Sequence, residues 1–157
     1  MSIRIPYVEK DPSGELTTEL VEVLSRQGGF SVDESGRYEL RVAVLDRKEQ
    51  KIGYRFDPED LAQNNKSLIL NESRAKTLAR VEIVDLYTNK TVLGPAHILG
   101  SIEYDHQQNN VNDDIQRFSL GQLSDVDTIS DIKRTPIYRD LARKICMWLQ
   151  DQRDLIG

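Results

Sequence analysis

Apolar and polar residues alternate in two long runs that stand back to back between residues 73 and 104. In the first run Ala79, Val81 and Ile83 occupy one parity, and charged residues occupy the other. Successive side chains of a β-strand point to opposite faces, so this pattern predicts a strand with one apolar and one charged face. The apolar face needs cover from another part of the chain.

A short polar turn separates the two runs. Thr88, Asn89 and Lys90 lie where a tight hairpin connection is expected, and asparagine tolerates the positive φ that such turns require. The second run continues the apolar parity at Ala96, Ile98, Ile102 and Tyr104, with Gly100 among them. The two runs together predict one long antiparallel hairpin.

The beginning of the chain has the pattern of a short strand. Ile3, Ile5 and Tyr7 alternate with polar positions. Pro6 cannot donate a backbone hydrogen bond, which favours an edge position for this strand.

A helix is predicted after this strand. Asp11 or Ser13 can cap it, and Gly28-Gly29 ends it. Its apolar residues recur at helical spacing, at Leu16, Leu20, Val23 and Leu24.

The middle of the chain predicts a further strand and two irregular connections. Tyr38–Val44 alternates cleanly, and the strand continues weakly to Phe56 with a bulge or bend at Gly53. Residues 57–66 and 105–134 are polar and predict connections.

A final helix is predicted from Thr135-Pro136, since proline is favoured in the first turn of a helix. Its inward positions are Tyr138, Leu141, Ala142, Ile145, Trp148 and Leu149.

This order of elements predicts an α+β fold in which residues 1–157 form a single domain. We expect a two-layer sandwich: a sheet of about four strands, mainly antiparallel, with both helices on one face. Hydrophobic residues make up 38% of the chain and charged residues 30%. That composition favours a thin core, with the second face of the sheet left open.

Charge and cysteine content narrow the class of protein. A net charge of −5 and a pI near 5.1 argue against a nucleic-acid partner, because such binding depends on neutralising phosphates. The single Cys146 rules out an internal disulfide and fits a packed helical position. The sequence contains neither an apolar run long enough to span a membrane nor a signal peptide.

The sequence gives little support for a catalytic site or a metal site. The Asp105-His106 pair has no further histidine or cysteine at a ligand spacing, and His97 lies on the charged parity of its strand. The run 109–114 lacks the glycine and glutamate of a calcium loop. Neither a phosphate loop nor a nucleophile elbow occurs. We therefore expect no metal, no cofactor and no enzymatic activity.

Basic residues form the more informative pattern. Four of them share the parity opposite the apolar face: Arg41, Arg74, Lys76 and Arg80. Four more crowd the connection toward the hairpin: Arg47, Lys48, Lys51 and Arg55. They form either a solvated face balanced by Glu39, Glu82 and Glu103, or a site for phosphate or carboxylate groups.

The sequence of elements resembles a known family. The strand 3–8 leads into Asp-Pro-Ser-Gly-Glu-Leu-Thr at 11–17 and an amphipathic helix, and Tyr-Glu-Leu-Arg-Val-Ala-Val at 38–44 precedes the long hairpin, a polar loop and the final helix. Over nearly the whole chain this layout resembles the lipopolysaccharide-assembly lipoprotein family LptE, also called RlpB.

The resemblance implies a lipoprotein at the periplasmic face of the outer membrane of a Gram-negative bacterium. Such a protein plugs an LptD-type β-barrel and assists lipopolysaccharide transport. The family's signal and lipidated cysteine are absent here, so an N-terminal lipid anchor implies a natural chain that begins upstream of Met1. By this resemblance the lipopolysaccharide-binding candidates are Lys48, Lys51 and Arg55, with Arg74 and Lys76 behind them.

Two other functions remain open. The chain could be a two-layer envelope lipoprotein that binds or activates another periplasmic partner, such as a peptidoglycan synthase. It could also be a small enzyme whose site gathers residues distant in sequence.

Overall fold

The computed structural model of the chain describes the backbone of residues 1–27, 29–56, 68–105 and 124–156. Side chains are described in the same ranges, except at 50–56, 68–72, 104–105 and 124–132.

The described elements form one mixed sheet with helices packed against one of its faces. In chain order they are β1 (Ser2–Arg4), α1 (Glu15–Arg26), β2 (Ser31–Val32), β3 (Tyr38–Phe56), β4 (Leu68–Asp85), β5 (Lys90–Asp105), α2 (Ser124–Asp151) and α3 (Arg153–Ile156). The sheet order is β2-β1-β3-β4-β5, with β1 parallel to both its neighbours and the other pairs antiparallel. The α+β two-layer prediction is confirmed. The sheet has five strands rather than about four, because the two-residue β2 is too short to produce a periodic pattern.

The edge position predicted for the first strand is wrong. β1 lies between β2 and β3, and it ends at Arg4, so that Pro6 falls outside the ladder and removes none of its hydrogen bonds. The following segment returns to β3 at Glu9, whose N–H donates to the Val42 carbonyl and whose carbonyl accepts from Val44, both at 3.0 Å.

The long hairpin is confirmed, and its turn is built around two polar residues. Asn89 adopts the expected positive φ of 53°, and Lys90 begins β5. Asp85 accepts a hydrogen bond from the Tyr87 N–H at 2.9 Å and an ion-paired bond from the Arg37 guanidinium at 2.6 Å. The hydrogen bond from Arg37 holds the pKa of Asp85 below its ordinary value.

The core lies between the apolar face of this hairpin and the two long helices. Its fully buried side chains include Leu16, Leu20 and Leu24 of α1, Ala79, Val81 and Ile83 of β4, and Tyr138, Leu141, Ile145 and Leu149 of α2. Ile98 and Ile102 of β5 pack against this cluster, which confirms the predicted apolar parity.

The sequence predicted the start of α1 well but not the start of α2. Gly14 is the N-cap of α1, but Asp11 and Ser13 both accept N–H groups of the first turn, from Leu16 at 2.9 Å and from Glu15 at 3.3 Å. The start predicted for α2 is wrong. The helix begins at Ser124, and Pro136 lies inside it, although a Thr-Pro pair is typical of a first turn.

Helix α2 lies close to β5 at Gly100. A Cβ at this position would lie 2.8 Å from the Leu141 Cβ and 3.0 Å from the Ile137 carbonyl oxygen. These atoms belong to a helix packed firmly on the sheet, so they cannot move independently.

We therefore expect Gly100→Ala to lower the free energy of unfolding by about 2 kcal/mol through overpacking. Urea denaturation measures the change. Leu99→Ala is the control, because Leu99 is 41% exposed on the opposite face and its truncation costs less. Equal stability of Gly100→Ala and the wild type would contradict the close helix–strand packing.

Two side chains of α2 cover the outer edge of β5. Asp140 accepts the Ser101 N–H at 2.9 Å, and the Lys144 ammonium donates to the Leu99 carbonyl at 2.9 Å. The two side chains also form an ion pair of 2.9 Å. Edge strands commonly need such protection from pairing with other chains.

We expect Asp140→Ala to cost about 1–2 kcal/mol of stability, and Asp140→Asn less, because an amide oxygen can still accept from Ser101. Burial opposes ionisation of Asp140, but the bonds from Lys144 and Ser101 outweigh it, and the pKa lies below its ordinary 3.8. The charged form thus contributes fully above pH 3.8, and its contribution is lost as the pH falls through the lower folded-state value. Thermal melts across this range measure the effect. A gap between wild type and Asp140→Ala that stays constant at lower pH would contradict it.

Candidate functional site

A groove of about 250 Å³ lies where β3, β4 and α2 meet. Its lining residues are Arg47, Lys48, Glu49, Ala75, Lys76, Thr77, Lys133, Arg134 and Ile137. We call it the cationic groove, because five of these side chains are basic and one is acidic. It is a candidate anion site on chemical grounds alone.

A β-bulge sets the composition of this groove. The register of β3 shifts by one residue between Val44 and Asp46, so odd-numbered rather than even-numbered residues face the helices beyond it. Arg47, opposite Thr77, thereby comes onto the helix-covered face. Before the bulge the corresponding positions are apolar core residues.

Arg47 is held at the inner wall of the groove by buried partners. Its guanidinium donates to the Tyr138 hydroxyl and lies 5.8 Å from the centroid of that ring. The Tyr138 hydroxyl in turn lies 3.4 Å from a carboxylate oxygen of the buried Asp11. Burial raises the pKa of Tyr138, so its hydroxyl remains protonated.

Neighbouring carboxylates compensate several of the groove's positive charges. Lys133 lies 3.4 Å from Glu49, Arg134 lies 2.8 Å from Glu15, and the exposed Lys48 lies 3.3 Å from Asp46. Within the described part of the chain, no carboxylate lies at ion-pair distance from Lys76. The same is true of Arg47, but its guanidinium donates to the Tyr138 hydroxyl, whereas Lys76 has neither kind of partner among the described residues.

The carboxyl group of Glu15, which pairs with Arg134, stays ionised to a lower pH than an ordinary glutamate. Burial opposes its ionisation, but hydrogen bonds from Thr135 and Arg134 outweigh that effect, and the pKa lies below its ordinary value. Glu15 thus ties the start of α1 to α2 beside the groove.

The structure brings together two of the five candidate residues. Lys48 and Lys76 are directly opposed in the β3–β4 ladder. By register both lie on the open face, so they border the groove from the side away from α2. Arg74 instead pairs with Glu103, its Nε donating to the carboxylate at 2.9 Å.

The other two candidates, Lys51 and Arg55, follow along β3, opposite Ser73 and Ile69 in register. Their side chains lie outside the described residues. The connection in which the sequence analysis placed the basic residues 47–55 is in fact part of a continuous strand.

Two basic lining residues, Lys133 and Arg134, were missed by sequence reasoning. They are adjacent in sequence to the predicted final helix, but no periodicity relates that helix to β3. Only the packing of α2 on the sheet brings Lys133 to Glu49 of β3 and places both residues in the lining of the groove.

The open face of the sheet carries charges that are paired with one another. Arg41 lies 2.7 Å from Glu39, and Arg80 lies 3.3 Å from Glu82. The predicted common face of Arg41, Arg74, Lys76 and Arg80 is confirmed by the strand register. The prediction that this face is solvated, with its basic residues balanced by glutamates, is therefore confirmed for most of the face. The exception is the region around Lys48 and Lys76.

Apolar side chains interrupt the charged pattern of the open face at one level. Leu78 of β4 and Leu99 of β5 are paired in register on this face, and Leu45 lies at the bulge beside them. Leu45 and Leu99 are both exposed. The open face thus combines an apolar centre with paired charges on either side.

The described residues contain no cluster of histidine, cysteine, aspartate and glutamate suited to a metal ion. His97 is exposed on β5, whereas His106 and the run 109–114 lie outside the description. Among the helices of the described ranges, none has the length and apolarity to cross a membrane.

These features define a class: a two-layer α+β domain whose long hairpin is covered by helices on one face only. Several solved structures with a similar fold are described as bacterial lipoproteins. Rare lipoprotein B from Shewanella oneidensis aligns with a TM-score of 0.59 and 11% identity, over 99% of this chain and 98% of that chain.

Two further structures extend the likeness. A minor lipoprotein from Acinetobacter baumannii aligns with a TM-score of 0.55 and 14% identity, over 97% of this chain and 92% of that one. Lipoprotein B from Nitrosomonas europaea, described as uncharacterized, gives 0.54 and 11%, over 99% and 83%. The resemblance to the rare lipoprotein B (LptE) family is thereby confirmed at the level of fold. No family model and no curated protein matches the sequence.

Proposed function

We propose that this chain is a non-enzymatic envelope protein of the LptE type. It binds and plugs an LptD-type β-barrel and assists the transport and insertion of lipopolysaccharide at the outer membrane. It works at the periplasmic face of that membrane, where an N-terminal lipid anchor holds the natural protein. The open sheet face, left uncovered by the described helices, is the observation that carries this proposal.

The open face suits the interior of a large barrel. The lumen of such a barrel is polar, and the ion pairs of Arg41 and Arg80 give the face a polar, nearly balanced surface. Leu78 and Leu99 at its centre offer apolar area that a partner can cover. The likeness to rare lipoprotein B over nearly the full length of both chains supports the same assignment.

Lipopolysaccharide fits the cationic groove by its chemistry. Its lipid A portion carries phosphates, and lysine and arginine bind phosphate through charge-assisted hydrogen bonds. Lys76 and Lys48 form the centre of the proposed site. Lys51 and Arg55 extend it along β3, and Arg74 lies beside it in its pair with Glu103.

Co-expression with an LptD-type barrel tests the proposal. We expect a one-to-one complex that survives detergent extraction. Leu99→Asp should reduce recovery of the complex, because it places a charge in the centre of the open face. Met147→Asp is the matched control, since Met147 is 56% exposed on α2 away from that face.

Failure of the wild-type chain to co-purify with the barrel would reject this partner. Equal losses from both substitutions would reject the open face as the binding surface.

A second function stays compatible with the same surface. A nearly balanced face with an apolar centre also suits another periplasmic protein partner, such as a peptidoglycan synthase. Recovery of such a protein, and not of the barrel, on the wild-type chain but not on Leu99→Asp would establish that alternative.

A further inference from the structure

One end of the molecule gathers exposed apolar groups around the start of the chain. β1 and β3 are parallel, so Met1 lies at the end of the sheet where β3 begins, and the hairpin turn lies there too because Tyr38 is paired with Asp85. The Tyr38 hydroxyl donates to the Ile156 carbonyl at 3.1 Å, which brings α3 to the same end. We call this the Met1 end. An open groove of about 530 Å³ runs across it between Met1, Arg37 and α3.

Two large apolar side chains at the Met1 end are strongly exposed. Tyr87 at the hairpin turn is 81% exposed, and Leu155 of α3 is 72% exposed. Among the described large apolar residues these are the two highest values. A side chain left in water to this extent contributes nothing to the core and is available to another apolar phase.

The basic residues beside them have the arrangement of groups at a lipid–water boundary. The Arg37 guanidinium lies 5.4 Å from the Tyr87 ring centroid, and the Arg153 guanidinium lies 5.7 Å from that of Phe30. The aromatic rings thus contact the guanidinium groups themselves, and both arginines remain exposed to solvent. Arg37 is paired with Asp85, but Arg153 has no carboxylate at ion-pair distance in the described part of the chain.

We propose that the Met1 end rests on a phospholipid surface, with Tyr87 and Leu155 inserted among the headgroups and Arg153 against their phosphates. Tyrosine and arginine are favoured at membrane interfaces for this combination of apolar body and polar tip. The proposal rests on the proposed function in one respect: an N-terminal anchor would hold this same end at the bilayer. The proposed partner is phospholipid rather than the surface of another protein.

Site-specific fluorescence tests the contact. Cys146 is buried, and burial raises the pKa of its thiol, so an added exposed cysteine can be labelled selectively. Tyr87→Cys and Leu155→Cys each carry an environment-sensitive dye, and Met147→Cys is the matched control on α2. An N-terminal histidine tag holds each full-length chain on vesicles of phosphatidylethanolamine, phosphatidylglycerol and a nickel-chelating lipid.

We expect the dyes at positions 87 and 155 to shift to shorter wavelength and gain intensity on vesicles, and the dye at 147 to stay unchanged. In the untethered chain, Tyr87→Ala with Leu155→Ala should lower vesicle partitioning about tenfold. Hydrogen exchange of the unmodified tethered chain gives a label-free check, with slower exchange expected at 86–89 and 153–156.

Unchanged dyes at 87 and 155, or an equal change at 147, would overturn the proposal. Slower exchange at the Met1 end only after addition of a protein partner would also overturn it. The assay contains neither a barrel nor lipopolysaccharide, so its failure is distinct from failure of the proposed function.

Discussion

The Leu141→Ala variant is expected to lose about 2–5 kcal/mol of unfolding free energy, the range for removing a fully buried leucine and leaving a cavity. Leu141 is completely buried, and its Cβ faces Gly100 across the contact between α2 and β5. The site cannot collapse easily, because the helix backbone already touches the strand. The cost should therefore fall in the upper half of the range.

Denaturation in guanidinium chloride measures this loss. Met147→Ala on the same helix is the control, and we expect it to remain within about 0.5 kcal/mol of the wild type. A Leu141→Ala variant as stable as that control would mean that α2 does not form the second layer of the fold.

Charge reversal in the cationic groove should weaken lipopolysaccharide binding about a hundredfold. Lys48→Glu with Lys76→Glu removes two charge-assisted contacts of roughly 1.5 kcal/mol or more each, and tenfold in affinity corresponds to about 1.4 kcal/mol. Adding Lys51→Glu and Arg55→Glu should weaken binding further. The melting temperature should change little, because Lys48 is exposed and Lys76 has no carboxylate partner among the described residues.

Titration with lipopolysaccharide at two salt concentrations measures the effect. The control is Lys90→Glu with Arg143→Glu, which changes the net charge equally at exposed positions outside the groove. Binding by the wild type should weaken as salt screens the phosphates. Equal losses in both double variants would assign the effect to net charge and reject the groove as the site.

The long hairpin and the helix-covered face were predictable because alternation with a period of two separates apolar from charged positions over many residues. The bulge at Gly53 was also predictable, since glycine marks such positions, and the register shifts there. The bulge after Val44 has no glycine. Its effect on Arg47, which turns toward the helices, was therefore not predictable.

The position of β1 and the length of α2 depended on tertiary structure. The place of β1 between β2 and β3 rests on pairing with a two-residue strand that has no pattern of its own. The first turns of α2 are mostly polar, and Pro136 is a stronger local signal for a helix start than for a helix interior.

The candidate site, too, was only partly predictable from the sequence. Lys76 was recognisable as a basic residue on a predicted strand, whereas Lys48 was recognised as basic but placed in a connection that the structure shows to be part of β3. The contributions of Lys133 and Arg134 required knowledge of where α2 crosses the sheet, and the pairing of Arg74 with Glu103 required the register of β5.

The unbroken run of β3 acts as a spacer. Ten residues separate Tyr38, at the Met1 end, from Lys48 in the cationic groove, a rise of roughly 30 Å. In a chain tethered by its first residues, Lys48 and Lys76 would stand well clear of the headgroup layer. If the chain binds lipopolysaccharide as proposed, that lipid would then reach these lysines before it reached the bilayer. Lengthening or shortening β3 and β4 together would change the distance between these lysines and the Met1 end without altering either site.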